Sequence, residues 1–121
     1  MDVAHNPHAA RALADGLGDM GFFENTFAVF AILADKDIGG VIDAIRGRID
    51  RWYVSAAQAE RAAPASMVGD LLGQRGLGGV TRAFASITGA LEAARSDAGP
   101  NDRIVVFGSF TTVAEALRCA R

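Results

Sequence analysis

Apolar residues recur at spacings of four and three early in the chain, at Leu13, Leu17 and Met20, and that period predicts a helix. Its start lies at Asn6-Pro7, because Asn6 suits an N-cap and Pro7 the first helical position, where a missing N–H costs nothing. Its end falls in the glycine-bearing stretch 18–21. Residues 26–33 form an unbroken apolar run with aromatic and β-branched members, the pattern of a strand covered on both faces as in a parallel sheet. A second helix follows, with Asp35 expected as its cap and Lys36 and Asp37 in its first turn. Ile38, Val41, Ile42, Ile45 and Ile49 make its buried stripe, despite Gly39 and Gly40, each costing about 1 kcal/mol relative to alanine.

Residues 50–55 read as a short third strand, 56–65 as an alanine-rich connection and 66–74 as a third helix. Arg75-Gly76-Leu77-Gly78-Gly79 carries three glycines, but no Gly-Lys-Ser/Thr ending and no strong strand before it, so an ordinary turn is favoured over a phosphate cradle. Residues 80–84 suit a weak edge strand. Ser86 caps a helix bearing Ile87, Ala90, Leu91 and Ala94, stopped by Gly99-Pro100. Residues 103–107 are the cleanest strand, and a last helix follows with Val113, Ala116 and Leu117 as its apolar face. A strand is also expected ahead of Asp2, where only Met1 stands, so the first strand reads as a stub. The alternation predicts a three-layer, Rossmann-like α/β domain with a mostly parallel sheet and helices on both faces.

Length and composition narrow the picture. The 121 residues suit one domain. A net charge of -2 supplies no basic field for nucleic acid, and no apolar run approaches the twenty or so residues that span a bilayer. Cys119 is the single cysteine, which excludes an internal disulfide and favours a reducing, cytoplasmic setting; we assign this thiol no chemistry.

In such a sheet, ligands bind beyond the carboxyl ends of the strands. Three junctions qualify, with Asp2, His5 and Asn6 at the first, Asp35-Lys36-Asp37 at the second and Gly108-Ser109 at the last, and neighbouring strands would bring them to one rim. Asp2 is either a solvated acid or a hydrogen-bond acceptor for a ribose hydroxyl. His5 stands where its N–H meets an anion at a helix start, or makes a structural contact. Asp35 and Ser109 read first as helix caps rather than ligand contacts, and Lys36 as a mobile cation or a solvated side chain. His5 and His8 at three-residue spacing, without a cysteine or glutamate partner, do not make a metal site. Ser109 lacks the context of a catalytic triad.

Four segments, Asp2-Val-Ala-His5-Asn6-Pro7-His8, Ile32-Leu-Ala-Asp35-Lys36-Asp37-Ile38, Asp50-Arg-Trp52-Tyr53 and Val106-Phe-Gly108-Ser109-Phe110, occur in order along nearly the whole chain. Together they resemble the C-terminal domain of folylpolyglutamate synthases of the bifunctional dihydrofolate synthase type. The resemblance implies a Mur-ligase-like enzyme of folate biosynthesis. Its ATP-binding N-terminal domain, with Mg2+, turns a dihydropteroate or tetrahydrofolate carboxylate into an acyl phosphate, which the amine of L-glutamate attacks. By resemblance Asp2, His5 and Asn6 face ATP, His5 and Ser109 face glutamate, and Lys36 is a lesser candidate. The family's P-loop and magnesium ligands have no counterpart here, so the chain is expected to be inactive alone and to need the absent ATPase domain. Where the family has a Gly-Pro-Arg-Gly-like segment, the chain has Ala59-Glu60-Arg61-Ala62-Ala63, retaining only the arginine. The alternative is a non-catalytic nucleotide-binding or protein-interaction module. A missing first strand would expose a sheet edge and favour dimerisation.

Overall fold

A computed structural model describes residues 7–19, 23–32, 37–56 and 63–108. Helix α1 (Pro7–Gly18) precedes strand β1 (Thr26–Ala31), helix α2 (Ile38–Ile45), strand β2 (Arg51–Val54), helix α3 (Ala65–Gln74), strand β3 (Thr81–Ala83), helix α4 (Ile87–Asp97) and strand β4 (Arg103–Gly108). The strands form one sheet in the order β3-β2-β1-β4, and every neighbouring pair is parallel. The α/β class, the parallel sheet and the alternation expected from the sequence are all present. The proposed first-strand stub and the helix around Val113 lie outside the described residues.

All six residues of β1 are buried, as an uninterrupted apolar run requires when both faces are covered. Ala28, Phe30, Trp52, Val54 and Phe107 point to one face, where they pack with Ala10, Ala14 and Leu17 of α1, the α2 stripe, and Val68 and Leu72 of α3. Phe30, Trp52 and Phe107 form an aromatic triangle there, with ring centroids 4.8 to 6.1 Å apart. Phe27, Val29, Ala31 and Tyr53 point to the other face, under Ile87, Ala90, Leu91 and Ala94 of α4. Right-handed crossovers explain this division: β1 to β2 to β3 runs outward with α2 and α3 on one face. The return to β4, on the far side of β1, needs its helix on the opposite face.

The local signals held with two corrections. Helix α2 ends at Ile45, so Ile49, expected in its stripe, follows a 3-10 turn at Arg46–Arg48 and is buried from extended backbone instead. Asp37, not Asp35, caps α2: its Oδ1 accepts the Gly40 N–H at 3.0 Å, so the helix begins at Ile38 and Asp37 precedes its first turn. Asp35 itself lies outside the described residues. Ser86 caps α4 as expected, accepting the Gly89 N–H at 3.0 Å. The glycine-rich stretch is the turn that follows α3, with a short 3-10 helix at Gly78–Val80. The Leu77 N–H donates to Leu72 O and the Gly76 N–H to Gly73 O, both at 3.0 Å, while Gly76 takes φ +78°, a left-handed value that an L side chain resists.

Arg103 ties the layers together. Its guanidinium donates to Thr26 Oγ1 at 2.7 Å and to the Leu17 carbonyl at 2.9 Å, joining the amino ends of β4 and β1 to the last turn of α1, and it lies 4.7 Å from the Phe23 ring centroid. Arg75 clamps α2 to α3 in a similar way: Nε and Nη2 reach Asp43 at 2.7 and 3.3 Å, and Nη1 donates to the Leu71 carbonyl at 3.2 Å.

Candidate functional site

The strand order reverses between β1 and β4, and in an open parallel sheet the crevice beyond the carboxyl ends at such a reversal is where ligands bind. The register makes that crevice concrete. Ala31, the last residue of β1, pairs with Gly108, the last residue of β4. On the other side the Phe30 carbonyl accepts the Ser55 N–H at 3.1 Å, so Ser55 stands beside Ala31 one step past the Phe30–Val54 pair. Gly108, Ala31 and Ser55 thus form a row of small residues across three adjacent strand ends, with Ala31 and Ser55 fully buried.

The rim is stitched by main-chain bonds. Ala63 N–H donates to the Ile32 carbonyl and Phe84 N–H to the Val54 carbonyl, each at 2.8 Å. Helices α2, α3 and α4 all start at this end because each follows a parallel strand. The first N–H groups of α2 and α4 are met by Asp37 and Ser86, whereas Pro64 at the start of α3 offers no side-chain cap. These helix starts and the aligned strand ends lie together on one rim of the sheet.

Among the site residues expected from the sequence, Asp2, His5, Asn6, Lys36 and Ser109 lie outside the described residues, as does Arg61. The segments carrying Lys36 and Ser109 leave from the paired ends of β1 and β4, so the structure aligns two of the three predicted junctions. Helix α1, opened by Pro7, packs against α2.

Ser55 went unnoticed in the sequence. It is fully buried, and its hydroxyl has no hydrogen-bond partner among the described residues. The available signal was a lone serine ending an aromatic strand, indistinguishable by pattern from a loop residue.

The described groups whose proton affinity is displaced sit away from this rim. Burial, then the hydrogen bond to Asp97, raises the Tyr53 phenol above its ordinary value. The Arg75 fork lowers Asp43, and the Gly99 N–H with Asn25 lowers Asp102. Among the described residues no three His, Cys, Asp or Glu side chains gather as a metal site, and no helix is long and apolar enough to cross a membrane.

An open parallel sheet, helices on both faces and a rim at the strand-order reversal define a Rossmann-like α/β domain. The family model described as Mur ligase, glutamate ligase domain matches residues 1–110, and the chain belongs to that family. It is 35% identical over 116 residues to the dihydrofolate synthase/folylpolyglutamate synthase of Escherichia coli, covering 96% of this chain and 26% of the relative. Its fold is similar to that of the Mycobacterium tuberculosis folylpolyglutamate synthase solved with ADP and AMPPCP, at TM-score 0.87 and 28% identity over 100% of this chain and 29% of that one. A bifunctional folylpolyglutamate synthase/dihydrofolate synthase solved with Mn, AMPPNP and L-glutamate gives TM-score 0.81 and 34% identity, covering 98% and 27%. The match is to the C-terminal domain of these ligases, and the chain spans about a quarter of their length.

Proposed function

We propose that this chain forms the glutamate-ligase lobe of an ATP-dependent folylpolyglutamate/dihydrofolate synthase, acting in a reducing, cytoplasmic setting. The observation carrying this reading is the 35% identity across 96% of the chain to a bifunctional synthase, together with the pairing of Ala31 with Gly108 at the strand-order reversal. In the reaction, the terminal phosphoryl group of ATP passes to a dihydropteroate or tetrahydrofolate carboxylate. The glutamate amine then attacks the acyl phosphate, forming the amide and releasing phosphate. By resemblance, ATP and its Mg2+ are held mainly by an ATPase domain.

The lobe supplies orientation and closure. Asp2 accepts from the ribose hydroxyls, His5 and Asn6 present donors to phosphate, and His5 with Ser109 holds the glutamate carboxylates. Lys36 adds positive charge from the neighbouring junction. Bringing this rim over the acyl phosphate aligns the amine for attack and keeps out water that would hydrolyse the intermediate. Alone, the lobe does not turn over.

The test is an amide-resolved NMR titration of the isotope-labelled chain with L-glutamate and with ADP. Expected are saturable shifts centred on residues 2–6, 32–37 and 108–110, weakened about tenfold by His5→Ala or Ser109→Ala. Shifts confined to the opposite end of the sheet, or ATP-dependent ligation by this chain alone, would overturn the assignment.

A further inference from the structure

At the amino end of the sheet, away from the rim just described, the β2–β3 ladder begins at the Trp52–Thr81 pair. Beside it is a pocket of about 210 Å³ lined by Arg51, Tyr53, Gly79, Thr81 and Arg82. Its size sets the class of occupant. A water's share of liquid volume is about 30 Å³, so the pocket holds roughly seven waters, and it falls below the ~300 Å³ lower bound of ordinary cofactor and drug-sized sites. That volume suits a single phosphate or a short dicarboxylate.

Both arginines are held ready rather than loose. Arg82 lies 5.9 Å from the Tyr53 ring centroid and 5.1 Å from that of Phe84, and Arg51 lies 5.8 Å from that of Phe27. Tyr53 pairs with Arg82 in the ladder, so Arg51, two residues before Tyr53, shares its face and stands diagonally from Arg82, and both line the same pocket. Two carboxylates stand nearby. Asp97 takes the Tyr53 hydroxyl at 2.6 Å and one Arg82 nitrogen, Nη1, at 3.2 Å, a solvent-facing pair of small worth. Asp102 spends its oxygens on the Gly99 N–H and the Asn25 amide. Arg51 interacts with the Tyr53 hydroxyl and lies close enough to Asp102 to lower its carboxyl, but among the described residues it closes no ion pair within 4.0 Å. Each planar guanidinium carries five N–H donors in the fork that matches carboxylate and phosphate, more than the contacts with Tyr53 and Asp97 use.

We propose that this pocket is a small-oxyanion site, in which Arg51 and Arg82 jointly bind a phosphate or a short dicarboxylate at the end of the sheet opposite the ligase rim. The site is independent of the proposed ligase role.

The isotope-labelled chain, titrated with inorganic phosphate and separately with succinate against sodium chloride of equal ionic strength, tests it. Expected are saturable millimolar shifts in the amides of residues 51–53 and 79–82 with at least one of the two anions, which also tells which group is preferred. Arg51→Gln and Arg82→Gln each weaken binding about tenfold, while the rest of the spectrum reports an intact fold. Shifts no larger than those from chloride with both anions, or binding unchanged in both variants, would overturn it.

Discussion

Replacing Arg103 by methionine tests whether α1 is anchored to the sheet by one side chain. The change keeps an aliphatic stem against Phe23 and deletes the donors to Thr26 Oγ1 and the Leu17 carbonyl. Thr26 and Leu17 are 4% and 3% exposed, so water cannot easily replace the lost partner. Hydrogen bonds from a charged donor contribute about 1.5–3 kcal/mol each, and at the lower end, for a half-buried arginine, the pair is worth about 3 kcal/mol. Native domains are stable by about 5–15 kcal/mol, so the loss is large but leaves the chain folded. In urea, with a slope of about 1.5 kcal/mol per molar, the midpoint falls by about 2 M. Arg103→Lys keeps the charge, but one ammonium cannot serve both acceptors in the same geometry, and about half the loss remains. Burial, followed by the neighbouring Arg48, lowers the proton affinity of Arg103 against the opposing pull of Asp50, yet a guanidinium stays charged at any ordinary pH, so the effect is the same from pH 6 to 9. A loss below about 0.5 kcal/mol, or full replacement by lysine, would refute the argument.

Three further outcomes follow from the same geometry. A β-carbon at Gly39 would lie 2.6 Å from Arg75 Nη2, so Gly39→Ala displaces the clamp on Asp43 and changes stability little, whereas in an Arg75→Ala background it stabilises by about 0.5–1 kcal/mol; equal effects in both backgrounds by denaturant titration would rule out the coupling. Asp102 has its carboxyl lowered by the Gly99 N–H and by Asn25, so its contribution is full above about pH 4 and is lost as pH falls through the lower folded value; thermal melts from pH 5 to 2 should lose that component in Asp102→Asn and keep it in the parent. Ser55→Ala removes a buried hydroxyl that has no partner among the described residues, so the chain becomes more stable by about 0–1 kcal/mol; a loss of 2 kcal/mol in calorimetry would mean that the hydroxyl is bonded in solution.

Much of the fold was legible because local chemistry and tertiary need coincide. The run that became β1 has no polar side to show solvent, and the isoleucine stripe of α2 has one face to bury. Ser86 caps because its hydroxyl, one turn before Gly89, accepts the Gly89 N–H. The cap of α2 was misread because Asp35 and Asp37 are the same residue type two positions apart; only the three-dimensional path shows which carboxylate meets the Gly40 N–H. Gly39, which pattern alone treats as a pure cost to the helix, makes room for the Arg75 guanidinium. No spacing rule announces that contact, since its partner lies beyond a strand and another helix.

The candidate site divides in the same way. Residue identities and motif order were sufficient, by the sequence alone, to define the α/β alternation, the buried strands and the family to which the chain belongs, because periodicity and resemblance reside in local order. Only the tertiary structure decided that β4 lies beside β1 and not beyond β3, pairing Ala31 with Gly108 and closing a pocket between β2 and β3 around two arginines. Strand order depends on which faces the crossover helices must cover and on how side chains far apart in sequence fill one core, and neither is recorded in the spacing of any one segment.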